Sequence, residues 1–159
     1  MGTRGLFGFF YKGKYYVAYN HFDSYTSGLG VWVVTELEKA IKENKIEEWK
    51  QLVDNLKEVN CNVPPTEEEI EKLKEYANLG VSYQKYEDWY CLLHKCQGSL
   101  SKVLESGYIV NCVNKDGKPD WESYAYIVNL DQDVLEFYDG EDLDHVYTFN
   151  NLPDWKDPF

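Results

Sequence analysis

An α+β fold is predicted from three features of the chain: an aromatic hairpin at its start, a block of helix-period segments in its middle, and strand-like runs in its last third. Residues 3–11 (TRGLFGFFY) and 14–22 (KYYVAYNHF) flank Lys12-Gly13. An X-Gly pair between two aromatic runs is the signal of a two-residue hairpin turn, which sets a hairpin over 3–22. Arg4 then faces His21, Leu6 faces Tyr19, and Gly8 faces Val17. Strand side chains alternate between faces, so Arg4, His21 and Asp23 are expected on one side and Thr3, Asn20 and Phe22 on the other.

The helical block is predicted over 28–105. Ser27 and Gly28 open a helix to about Asn44, with Leu29, Trp32, Val33, Leu37, Ala40 and Ile41 as its apolar stripe. Ile46, Trp49, Leu52, Val53 and Leu56 repeat that period over about 46–58. After Pro64-Pro65, Thr66 and Glu69 form a capping box that starts a third helix with Ile70, Leu73, Tyr76 and Ala77 inward. Asp88 caps a fourth through DWYCLLHKC, bent at Gln97-Gly98 before SLSKVLES.

Strand patterns resume over 108–150. YIVNCV leads through the turn Asn114-Lys115-Asp116-Gly117 to WESYAYIVNL, and Asp131-Gln132-Asp133 turns that run into VLEFYDG, followed by HVYTFNNL. Hairpin and C-terminal strands are expected to share one antiparallel sheet covered by the helices, as a single domain over 1–159.

Composition bounds the function. The chain has 159 residues, 43% hydrophobic and 28% charged, which suits a folded core. No apolar run nears the roughly 20 residues of a membrane helix. The start lacks a signal-peptide pattern, so a cytoplasmic location is expected. Leu6 occupies the place where N-myristoylation needs Ser or Thr. A net charge of −12 opposes nonspecific binding to nucleic acid or anionic membranes, while a local basic pocket could still hold a small anion. Arg4 is the single arginine among 16 basic residues. Cysteines at 61, 91, 96 and 112 are expected as reduced, mostly buried thiols.

The candidate site is the polar stretch YNHFDSYTSGLG, residues 19–30, set against the start of the hairpin. Arg4 would hold an anion, His21 would act as acid or base, and Asp23 would orient His21. Asn20, Ser24 and Tyr25 would add hydrogen bonds beside a helix N-terminus. The structural reading of the same residues is that Asp23, Ser24 or Ser27 caps the helix while Arg4 pairs with Asp23. Thr3 at the head of a hairpin also looks like an N-terminal nucleophile, a reading that requires cleavage after Gly2. Cys91, His94 and Cys96 lack paired metal-ligand spacing. The acidic run from Asp131 to Asp144 opens like a calcium loop, but Leu135 and Glu136 break the pattern. No metal or cofactor is therefore predicted.

MGTRG, YNHFDSYTSGLG, PPTEEEI, DWYCLLHKCQGSL and YAYIVNLDQDVLEFYDG together resemble a family of small intracellular proteins of microbes, viruses and fungi. Its members open with MGTRG and carry Tyr-Asn-His-x-Asp-Ser-Tyr-Pro-x-Gly-Leu-Gly; Thr26 stands here where proline is usual. The resemblance implies no reaction, but its two signature segments are the two that the hairpin brings side by side. The residues lead to one expectation, binding of a small polar, anionic ligand such as a nucleotide-like metabolite, with its hydrolysis as an optional further step. The alternatives are a noncatalytic protein-interaction module that uses exposed aromatics or an open sheet edge, and the N-terminal-nucleophile hydrolase.

Overall fold

The structure is a computed structural model and describes residues 3–80 and 86–155. Met1 and Gly2, which begin the MGTRG segment and would have to be removed in the nucleophile reading, lie outside the described residues.

β1 (Gly5–Tyr11) and β2 (Lys14–Asn20) pair antiparallel from Gly5↔Asn20 to Tyr11↔Lys14. The register is the expected one because the turn dictates it. Lys12 and Gly13 both have positive φ, 52° and 74°, the backbone of a turn whose twist matches its strands. The Asp131 carboxylate accepts both turn N–H groups, from Lys12 at 2.8 Å and Gly13 at 3.1 Å, and so ties the hairpin tip to the C-terminal strands.

The helices follow in the expected order with shorter limits: the third, expected to carry Tyr76 and Ala77, ends at Leu73, and the fourth, expected through Cys96, ends at Leu92. A π turn at Thr26–Gly30 leads into α1 (Val31–Lys42), and α2 (Ile46–Asp54) follows. A short strand, β3 (Lys57–Glu58), precedes α3 (Glu67–Leu73). Thr66 and Glu69 form the capping box at the start of α3. Asp88 caps α4 (Trp89–Leu92) by accepting the Tyr90 N–H. A 3-10 turn at His94–Cys96 makes the bend before α5 (Leu100–Ser106). Glu36 of α1 reaches the start of α5, accepting from Leu100 N at 2.6 Å and Ser99 Oγ at 2.7 Å. A carboxylate there meets unpaired N–H groups and the positive end of the helix dipole, so it holds α1 and α5 together.

β5 (Tyr124–Asn129), β6 (Val134–Asp139) and β7 (Asp142–Thr148) join the hairpin in a five-stranded sheet of order β2-β1-β5-β6-β7. The sheet departs from the expected pattern in one pairing: β1 and β5 are parallel. The chain leaves β2 at the end where β1 began, and the helical block carries it back to that end. β5 must therefore run in the direction of β1, as a crossover requires. The segment YIVNCV also departs from expectation. Only β4 (Tyr108–Ile109) is strand, paired in parallel with β3 outside the main sheet. Beyond it, Asn111 lies along the outer edge of β2. Its Oδ1 accepts from Val17 N and its Nδ2 donates to Tyr15 O, both at 2.8 Å, while Cys112 N donates to Val17 O at 2.8 Å. The side-chain amide takes the place of a neighbouring strand.

Phe7, Phe9, Tyr126, Val128 and Phe137 face the helices, where Leu37, Val53 and Leu100 complete the main core. Leu6, Val17, Ala125, Ile127 and Tyr138 form a second core on the other face, under Cys112, Val113 and Trp121.

Gly8, in the middle of β1, lies where a Cβ atom would stand 2.0 Å from the Tyr16 carbonyl oxygen. Backbone cannot yield there without parting the hairpin. Gly8→Ala should cost on the order of 3 kcal/mol in urea denaturation, or prevent folding; a stability within about 0.5 kcal/mol of wild type would contradict this packing.

Candidate functional site

The chain leaves β2 through a tight, buried polar turn. Asn20 and Ser24 are 4% and 0% exposed, too deep to rely on solvent for partners. Asn20 Nδ2 donates to Phe22 O at 2.6 Å and to Ser24 Oγ at 3.0 Å. Ser24 N donates to Thr3 O at 3.1 Å, and Tyr126 Oη donates to Ser24 O at 2.8 Å. Asp23, at φ 56°, reverses the chain, and its carbonyl accepts the Leu29 N–H at 2.9 Å. Gly28 is required beneath it, since a Cβ there would lie 2.2 Å from that same oxygen. The turn fastens the hairpin, the centre of the sheet and the first helix to one another.

His21 extends from this turn toward α4 and the bend after it. Tyr19 Oη and His21 Nδ1 are 2.7 Å apart, a hydrogen bond between residues two apart on one strand face. The His21 ring also packs edge-on to Tyr90, with centroids 6.5 Å apart, and Tyr90 in turn lies 5.2 Å from the ring of His94. Gln97 stands between the two histidines. Its Oε1 accepts the His21 backbone N–H at 3.0 Å, and its Nε2 approaches His94 Nδ1 at 3.4 Å. Burial, with the charge of His21, holds the His94 imidazole below its ordinary range. Burial raises the Tyr19 phenol, and the nearby Arg4 guanidinium acts in the opposite sense.

Beside this group is a partly open cavity of about 230 Å³. Phe7, Ala18, Trp89, Leu93 and Ile109 give it an apolar wall, and Tyr19, Tyr90 and Gln97 belong both to it and to the histidine cluster. Cys61, Cys96 and Cys112 also line it. Burial pushes the thiols of Cys96 and Cys112 up to about 12 and about 11, so both stay protonated at neutral pH and are weak nucleophiles.

The residues expected to form one site are thus divided. Arg4 and His21 both neighbour Tyr19, one step beyond the end of the β1–β2 ladder. Asn20 and Ser24 are interior fastenings of the turn. Asp23 is exposed, its carboxylate makes no hydrogen bond or ion pair with His21 or Arg4, and Tyr19 rather than Asp23 bonds the imidazole. Tyr25 is 46% exposed and lies against Tyr124, in a shallow depression with Asp139 and Asp144. Among the described residues, no three His, Cys, Asp or Glu side chains gather as a metal-binding group.

Tyr19, Tyr90, His94 and Gln97 were missed as site residues. Tyr19 follows from the alternation that placed His21, and Tyr90 with His94 from their i, i+4 spacing. Gln97 gives no such local signal. No family model, curated protein or solved structure matches the chain.

Because His94 is depressed in the folded state, it stays neutral where an unfolded histidine, near pH 6.5, has taken up a proton. Its contribution to stability is complete above about pH 6.5 and declines as the pH falls through that value toward the folded pKa. An NMR titration should give His94 a midpoint below about 6.5, moving upward in His21→Gln as the neighbouring charge is removed. A wild-type midpoint at or above that value would contradict the described burial and the opposing charge of His21.

Proposed function

We propose that the protein binds a small planar, apolar molecule bearing an anionic group. The observation that carries this reading is the sharing of Tyr19, Tyr90 and Gln97 between an apolar cavity and a cluster holding both His21 and His94. A ring would enter between Phe7, Leu93 and Ile109, where its removal from water is favourable at about 25 cal/mol per Å². A cavity of about 150 Å³ accommodates benzene, so about 230 Å³ suits a ring with a substituent. The anionic group would lie toward Tyr19 and His21, where Arg4 is the neighbouring cation in a chain of net charge −12. A guanidinium suits carboxylate or phosphate because its N–H groups form a planar fork.

Hydrolysis of the bound molecule is a second reading, favoured by the Tyr19–His21 hydrogen bond. If the phenol donates to Nδ1, the proton of the neutral ring is on Nε2, and the imidazole is held for proton exchange.

Benzoate, phenyl phosphate and the uncharged benzyl alcohol are suitable probes in thermal unfolding. A ligand at about 100 times its Kd adds about 2.7 kcal/mol, or roughly 5–10 °C for a chain of this size. The anionic probes should stabilise the wild type more than benzyl alcohol does. Arg4→Ala should remove that difference, and Val110→Phe, which narrows the cavity that Val110 also lines, should weaken all three. Equal responses in wild type and both variants, or none to any probe in the wild type, would overturn the proposal.

A further inference from the structure

The two outer strands of the sheet are finished differently. Asn111 and Cys112 occupy the outer edge of β2, whereas no hydrogen bond from outside the β6 ladder reaches the main chain of residues 142–147 among the described residues. The phase of the β6–β7 ladder follows from one bond, Phe149 N to Asp133 O at 3.2 Å. Antiparallel pairs alternate between bonded and non-bonded, so Leu135↔Tyr147 and Phe137↔His145 are bonded and Glu136↔Val146 is not. Val146 therefore directs its N–H and C=O to the open edge.

A register shift at Phe137/Tyr138 leaves Leu143 opposite Tyr138 and Val146 opposite Glu136. Tyr138 and Glu136 share a face, joined by a 2.9 Å hydrogen bond, so Leu143 and Val146 share it as well. These apolar side chains are 51% and 44% exposed. An added strand would cover both and satisfy the free backbone groups of β7.

The charge around this edge selects the occupant. Asp139, Glu141, Asp142 and Asp144 surround it, and no lysine or arginine occurs from residue 119 to 155. A second copy of β7 would bring like charges into opposition, which is destabilising, and an exposed edge bearing acids is guarded against self-pairing. We infer that β7 is a docking edge for an extended, basic segment of another protein, one that alternates Lys or Arg with β-branched residues and adds to the sheet as a sixth strand. This surface is separate from the cavity, and neither proposal depends on the other.

The test is an NMR titration of the 15N-labelled protein with a capped nonapeptide of alternating lysine and valine. A peptide carrying glutamate in place of lysine serves as its control. The lysine peptide should shift the β7 amides and slow hydrogen exchange at Val146. Val146→Pro removes an outward N–H without removing a ladder bond and should abolish binding. Asp142→Lys with Asp144→Lys, both exposed positions, should weaken binding at least tenfold while preserving the wild-type spectrum elsewhere. The inference is overturned if the lysine peptide leaves β7 unperturbed, if the glutamate peptide binds as well, if the charge-reversed protein binds undiminished, or if the wild type pairs with itself through β7.

Discussion

The turn from Asn20 to Ser24 is the constraint on which the other features depend. It removes the side chains of Asn20 and Ser24 almost wholly from water. An unsatisfied polar group there would cost about 1–3 kcal/mol. The turn avoids that cost by bonding within itself, to Thr3 at the head of the hairpin and to Tyr126 at the centre of the sheet. Among the described residues, no buried side-chain nitrogen or oxygen is left without a partner. Because the bonds reach three different elements, the turn cannot shift without disturbing the hairpin, the central strand and the entry to α1. His21 sits inside this fixed segment, and its direction toward Tyr90 and Gln97 is a consequence of it.

Local chemistry was legible in the sequence wherever it specified geometry by itself. Lys12-Gly13 fixed the hairpin register because a turn with two positive φ angles permits one strand alignment. Thr66 with Glu69, and Asp88 before Trp89, marked helix starts because a cap and its N–H group lie within three residues of each other. Alternation put His21 on the side of Arg4, and both neighbour Tyr19, but it failed for Asp23, where the chain had already left the strand through a positive φ. The parallel β1–β5 pairing, the amide of Asn111 along β2, and the bridge by Gln97 join residues 76 to 119 positions apart. No spacing rule reaches that far, so these contacts became visible only with the fold.

The composition of residues 19–30 now has a physical division. Asn20 and Ser24 close the turn, while Gly28 lets the chain pass the Asp23 carbonyl. Tyr19 and His21 remain directed toward the cavity and toward α4. A segment that looked uniformly like a binding motif is mostly a fastening that presents one imidazole. The single arginine lies on that side of the sheet, while the acidic C-terminal strands end at the unpaired β7 edge. Charge thus distinguishes the two surfaces, the first proposed for a small anion and the second for a basic strand.

Native-state hydrogen exchange resolved by residue tests the fixed turn most directly. The amide protons of Ser24, bonded to Thr3, and of His21, bonded to Gln97, should exchange only through openings close in free energy to global unfolding. Their protection should match that of the central strand β5. Exchange at the rate of an exposed loop, with β5 still protected, would show that the turn opens independently and would contradict its role as the anchor of the site.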